Sequence, residues 1–422
     1  MRRHIYTGAM GATYFSLMGG ILFNYFGKSI GVSDFQWGLM GGISSFLLAS
    51  QLLSAHLTQR VGRRKFLWFV TALAGRVVRT LGVVVALWFW YAGYAQAAII
   101  LIAMICLSNL FDAMAGPPWL SWLADIIPRD VHGGFWGRRT AWVALAVICA
   151  ALSAGLLMDW VPQTTKLQAV TGIFLFAGFI GIVDILIHGT IPEPAMELSA
   201  RNHFLHDVLA PLRDRGFRPW LVFNVCWTFS MTLGGSLANL YFLTGLNLRQ
   251  HLLGGMVVLT VFQLVGGMLT SGWSGRLVDR VGIKRVMGWG HTFWSILPLF
   301  WILASPATAL LWLAVSSMVG GVSCTAASNA TNKLITRYRP PAETAMYVAV
   351  SACLGSLAAG VGAITAGTVL RVFETWHQNV GSWTFVNFHI LFVSSLCLRL
   401  LTTALLLPRI NNLEAAPRPS EA

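Results

Sequence analysis

Arg76, Arg79 and Asp112 stand inside long apolar stretches of the sequence, where an ionisable side chain needs a reason to be. Groups so placed carry protons, bind charged solutes or neutralise one another. Asp112 lies about 11 residues before one end of its stretch, and Arg76 about 10 residues from the same side of the preceding one. At about 1.5 Å per helical residue their depths agree to about 1.5 Å, so the three form a buried charge group, with Asp112 the proton-coupling candidate. Neutral polar residues recur at helical spacing elsewhere: Asn24 with Thr13, Ser16 and Gly20; Asn109 and Trp119 around Asp112; Asn224, Thr228 and Asn239; Thr325, Ser328 and Asn329. Each set makes one polar stripe on a helix, suited to hydrogen bonding across helices or to lining a wet cavity.

The elements that hold these residues follow from composition. Of 422 residues 56% are hydrophobic and 10% charged, with 18 Trp, 25 Phe and 42 Gly. Ordinary soluble domains carry about 25% charged residues, so this is a polytopic membrane protein and not a soluble enzyme. The net charge of +14 is spread in small clusters between apolar runs, which sets topology and does not make a nucleic-acid surface. The six cysteines lie within apolar stretches without metal-ligand spacing. No small-residue cleavage site follows the first apolar run, which therefore reads as a span and not a leader.

Apolar runs and punctuation give twelve spans, at 7–30, 36–57, 66–91, 95–122, 136–158, 167–189, 219–246, 252–274, 286–304, 307–333, 343–370 and 383–407. Residues 1–190 form one six-helix bundle, 191–218 a cytoplasmic linker, 219–410 a second bundle and 411–422 a tail. With both termini cytoplasmic, only Lys28, Lys166, Arg249 and Arg371 fall outside and Arg76, Arg79 and Arg399 within spans; the remaining Lys and Arg are inside. A multi-pass protein of the plasma membrane, the inner membrane of a bacterium, is the corresponding location.

The halves echo each other. His56 to Lys65 and Arg276 to Arg285 share the pattern L-x-[QD]-R-V-G-x-[KR]-[KR] at the same place in each half, as expected of a transporter built from a six-span repeat. Here the chain resembles the major facilitator superfamily. Gly275 to Arg285 matches that family's loop motif throughout, and the first copy departs from it with Ala55 and Gln59. Trp122 to Pro128, followed by Gly134, Gly137, Arg138 and Arg139, is similar to the family's connection between helices 4 and 5.

The resemblance implies an all-α fold of twelve helices in two pseudo-symmetric bundles, alternating access, and a cavity lined by helices 1, 4, 7 and 10, the helices that carry the stripes. It implies a cytoplasmic latch in which Arg60 pairs with Asp125 and Asp279 faces the start of span 5, with Arg138, Arg139 and Arg280 nearby. Span 4 lacks the Arg, and span 5 the Gly-Pro run, of the drug–proton antiporters, which disfavours that subgroup. Pro117-Pro118 kinks span 4 beside a gate plugged by Trp119 and Trp122. Asp184 and Arg399 lie near helix ends and snorkel to the interface, and Lys333 is a topology charge.

No catalytic constellation appears. His203 and His206 lack a completing metal ligand, and no phosphate-binding loop is present, so neither cofactor nor metal is expected. The reading is a secondary transporter of a small organic solute, driven by a proton or substrate gradient and complete as a monomer in the lipid bilayer. The alternatives are a lipid or lipid-precursor flippase of the same fold and a non-transporting sensor or assembly factor.

Overall fold

The computed structural model describes residues 2–127, 132–195, 204–338, 341–380 and 383–410. In the first half the helices are α1 (Arg2–Leu17), α2 (Gly20–Ser29), α3 (Asp34–Leu47), α4 (Ser50–Val61), α5 (Arg64–Tyr91), α6 (Ala97–Ile126), α7 (His132–Trp160) and α8 (Lys166–His188). A short helix, α9 (Phe204–Arg213), lies in the linker. The second half holds α10 (Arg218–Gly235), α11 (Ala238–Leu240), α12 (Leu252–Met256), α13 (Phe262–Val281), α14 (Ile283–Ser295) and α15 (Leu297–Ile302). It ends with α16 (Ala309–Tyr338), α17 (Pro341–Val372) and α18 (Asn387–Leu405). One antiparallel hairpin, β1 (His377–Val380) with β2 (Trp383–Val386), pairs His377 with Val386 and precedes α18.

Among the described residues ten helical segments are long and apolar enough to cross a membrane. The two other expected spans are helical but interrupted, at Met18-Gly19 between α1 and α2 and at Ile296 between α14 and α15. Breaks within apolar helices free backbone carbonyls that lipid cannot hydrogen-bond. Pro118 has no N–H for the carbonyl of Met114 four residues back, and the Ser54 hydroxyl of α4 donates to that oxygen instead. Pro298 likewise frees the carbonyl of Trp294, and Arg399 Nη1 donates to it at 3.2 Å, while its Nη2 reaches the carbonyl of Met231 at 3.1 Å. Arg399 is therefore buried, 5% exposed, and does not snorkel.

The repeated loop motif has a backbone explanation. Its glycine, Gly62 in the first copy and Gly282 in the second, has φ of +63° and +98°. In each copy its N–H closes the preceding helix onto the carbonyl four residues back, Thr58 and Val278 respectively. Only glycine takes that left-handed turn cheaply.

The chain divides into two compact units that are not its two halves. Unit 1 is Met1–Ala200 with Ser236–Val261 and Ala363–Glu374; unit 2 is the remainder. Two second-half segments thus pack onto first-half helices. Asp159, near the end of α7, accepts the N–H groups of Leu252 and Leu253 at 2.9 and 3.3 Å in the first turn of α12. Gly38 of α3 meets Gly367 of α17 so closely that a methyl added at Gly38 would lie 2.6 Å from Gly367 Cα. In unit 2 the core gathers Phe217, Trp220, Phe223 and Trp227 against Val286, Met287, Leu334 and Tyr347.

Ser54→Ala is expected to lower stability by about 1 kcal/mol, seen as an earlier thermal unfolding midpoint in detergent. In a Pro118→Ala background, where residue 118 regains its N–H, the same change should cost much less. Equal losses in both backgrounds would show that Ser54 does not serve the orphan carbonyl.

Candidate functional site

Close packing of α5 on α6 brings the predicted charges together. Gly75 leaves room for the Asp112 carboxylate, since an added methyl would sit 2.7 Å from its Oδ1. Arg76 Nη1 lies 3.3 Å from Asp112 Oδ1 and Arg79 Nη2 3.4 Å from Oδ2, so one carboxylate bridges two guanidinium groups. Arg79 Nε also donates to Ser108 Oγ at 3.1 Å, its Nη2 donates to Asn109 Oδ1, and the Asn109 amide donates to Ser44 at 2.7 Å. The Arg76 guanidinium is held over the Tyr14 and Phe15 rings of α1, at 4.1 and 4.2 Å.

This group forms one wall of a cavity of about 320 Å³ within unit 1, which sequence reasoning located only in part. Asp112, Arg76 and Trp119 line it, joined by Thr7, Arg139, Asp184 and His188. Arg139, expected at the latch, thus lines the cavity; its guanidinium lies 5.2 Å from the Trp119 ring and 5.4 Å from that of Trp136. Asp184 is 6% exposed and lines the cavity, so it does not snorkel, and Asp112 is not the sole embedded acid. Neither Arg139 nor Asp184 has an ion-pair partner within 4 Å among the described residues.

Two glycines of α1, one turn apart, make this space. A methyl at Gly8 would lie 2.8 Å from Arg139 Nε, and one at Gly11 2.8 Å from Asp184 Oδ2. His188, one turn beyond Asp184 on the same face of α8, has Nδ1 2.9 Å from the Thr7 hydroxyl. The missed signals were these spacings: Gly8 with Gly11, and Asp184 with His188, each matching one helical turn.

The other stripe residues divide between two roles. Asn224, Thr228 and Ser328 line a second cavity of about 220 Å³ within unit 2, walled by Trp220, Trp227, Trp294 and His291. Asn224 also donates to the Ser351 carbonyl at 2.9 Å. Asn329 donates to Ser274 Oγ at 2.7 Å and ties α16 to α13. Thr325 packs near Gly267 on the same pair of helices. Asn24 donates back to the Gly20 carbonyl at 2.8 Å, and it lines neither cavity; nor does Asn239. Trp122 is not a plug: it is fully buried against Trp68 and His188, and its Nε1 donates to the Pro192 carbonyl at 3.1 Å.

The latch partners also differ from those expected. Asp125 is held by Arg64 at 2.6 Å and not by Arg60, which is exposed. Arg64 is only 2% exposed because Nη1 donates to the carbonyl and hydroxyl of Ser121, both at 3.2 Å, and Nη2 to the Pro194 carbonyl. It stands at the first turn of α5, one α-helical turn past Arg60, so the cap at Gly62 turns Arg64 inward. Asp279 pairs with Lys333 at the far part of α16, which makes Lys333 an ion-pair partner; Arg280 and Arg138 are exposed. His203 lies outside the described residues, as do 411–422.

A sequence model described as Major Facilitator Superfamily matches residues 5–274 and 253–422. No curated protein matches the sequence. Among solved structures, a variant of the nucleoside transporter NupG aligns with a TM-score of 0.72 at 12% identity, covering 97% of this chain and 100% of its own. A bacterial homologue of the human lysosomal transporter Spinster, inward-facing and unoccupied, aligns with 0.70 at 13% identity, covering 99% and 98%. A D-xylose–proton symporter aligns with 0.70 at 13%, covering 99% of each chain.

Arg64→Ala should lower the thermal midpoint clearly, since it strips Asp125, Ser121 and Pro194 of one shared donor, a loss of about 2 kcal/mol or more. Arg60→Ala should leave it within about 0.5 kcal/mol of wild type. Reversal of that order in a detergent melt would restore Arg60 as the latch residue.

Proposed function

The chain belongs to the major facilitator superfamily, a family of multi-pass membrane transporters, and on that premise we propose that it is a secondary active transporter of a small organic solute that binds in the charged cavity of unit 1. The observation that carries this reading is the cavity itself. Five ionisable side chains, Arg76, Arg79, Asp112, Arg139 and Asp184, cluster within apolar spans, and all but Arg79 line the open volume. Burying charge around empty space costs several kcal/mol per group unless something polar fills that space in the working cycle.

Transport proceeds by alternating access, with the six-helix halves 1–190 and 219–410 as the moving bodies. On this reading the contacts of Asp159 with α12 and of Gly38 with Gly367, which tie second-half segments to first-half helices, break and re-form in each cycle. The protein works as a monomer in a bacterial inner membrane with both termini cytoplasmic, as a carrier and not a catalyst. The proton-coupled step falls to Asp184 and not to Asp112. Asp112 is bridged by two guanidinium groups, whereas Asp184 faces the cavity with Arg76 of α5 and Arg139 of α7 near it and no direct ion pair.

Uptake into proteoliposomes, screened over radiolabelled solutes with and without a pH gradient, tests the whole reading. Gly11→Leu, which drives a side chain into Asp184, should cut uptake of the best solute at least about tenfold. Gly172→Ala should leave it intact, because that exposed glycine of α8 is not part of the cavity wall and a methyl there meets nothing within 4 Å. Undiminished uptake by the Gly11 variant would remove the cavity from the transport path. Gly38→Val, which forces α3 away from α17, should abolish flux in a protein that still folds and increase labelling of a cysteine placed beside that crossing. Normal flux with Val at 38 would show that the crossing does not need to close.

A further inference from the structure

Resting on the transport reading above, we propose that the solute is a small organic monoanion, an oxyanion carried on a flat apolar body, and that Arg139 receives its negative group. Three observations lead there. The first is charge balance: Arg76, Arg79 and Arg139 bring three positive charges to the cluster, and Asp112 and Asp184 bring two negative ones. The surplus positive charge sits in a surrounding of apolar helices, where it draws a single counter-charge far more strongly than it would in water.

The second observation concerns hydrogen bonding. Nε of Arg76, Nε of Arg139 and Nε2 of His188 are buried without a partner, and all three side chains line the cavity. The Thr7 hydroxyl lies 2.9 Å from His188 Nδ1, so Nε2 is the ring nitrogen left to a group in the cavity. The cavity then offers donors in want of acceptors, the complement of a carboxylate or a similar oxyanion. A cation could meet Asp184, but the lining guanidinium groups of Arg76 and Arg139, with Arg79 behind them, stand against it.

The third is the shape of the remaining wall. Phe15, Trp68 and Trp119 present aromatic surface to the same space, and Trp119 lies against the Arg139 guanidinium. A volume of about 320 Å³ is at the small end of ligand cavities, which run from about 300 to 1,000 Å³. A planar body of one or two rings fits between these faces with its anionic end at Arg139. With a proton on Asp184 the positive surplus grows by one, so anion and proton entering together leave the cluster's charge unchanged.

Benzoate, benzamide and benzylamine share one ring and differ in charge, so they make the test. Binding to the purified full-length protein in detergent is measured by titration calorimetry. Benzoate should bind at least about tenfold more tightly than the amide or the amine, the worth of a charge-assisted hydrogen bond. Arg139→Gln should collapse the benzoate-to-benzamide ratio toward one, and Arg139→Lys should restore part of it. Asp184→Asn should tighten benzoate several-fold, and it carries the same test if the Gln variant does not fold. Equal binding of benzoate and benzamide by the wild type, or no benzoate binding at millimolar concentration, overturns the proposal. If Arg139→Gln weakens benzamide and benzoate alike, the cavity is the binding site and its ligand is not an anion. If the substitution leaves all binding unchanged, the cavity reading fails as well.

Discussion

A charge held among apolar helices must be answered by another charge or by a dipole, and the α5–α6 pair is built around that requirement. Asp112 answers Arg76 and Arg79 at once, and it reaches both only because Gly75 lets the two helices approach closely. Tyr14 and Phe15 supply ring faces for Arg76, while Ser108 and Asn109 occupy the remaining donors of Arg79. These contacts spend most of the local polarity on fixing helix positions. Arg139 and Asp184, without such an ion pair among the described residues, are left facing open volume.

The same accounting governs the backbone. Both internal prolines with an identified orphan carbonyl, Pro118 and Pro298, have a side chain from another helix standing in for the lost N–H. Ser54 and Arg399 are therefore parts of the proline sites they serve, though they are distant in sequence. The two units solve their interiors differently: the cavity at Asp184 in unit 1 is charged, whereas the one at Asn224 in unit 2 is walled by indole rings and amides. A repeat in the chain's architecture has not been kept as a repeat in its chemistry.

Much of the fold was legible because lipid leaves few choices: apolar length marks the spans, ten of which are helices long and apolar enough to cross a membrane. Asp112 with Arg76 and Arg79 was legible for the same reason, since equal depth on neighbouring helices forces the charges together. Arg139, Asp184 and His188 were not. Their positions near helix ends allow either a snorkelling side chain or an inward one, and the choice depends on which neighbouring helix leaves room. That room comes from Gly8 and Gly11, whose spacing looks like ordinary helix packing until the facing side chains are known. The swap of Arg60 for Arg64 at Asp125 has a similar origin, because the turn at Gly62 decides which cation points inward.

The crossing of Gly38 over Gly367 has a kinetic implication. Two helices that meet through interlocked side chains must lift every knob out of its socket before they part, and the barrier grows with each one. Here backbone lies directly on backbone at the crossing point, flanked by the Arg371 guanidinium 5.1 Å over the Phe35 ring. Such a seam holds through many weak dispersion contacts that lose about a quarter to a half of their strength within the first ångström of travel. It behaves as a shallow, sharp-edged catch, firm when shut and quick to release, which favours rapid switching over long dwell times in half-open states.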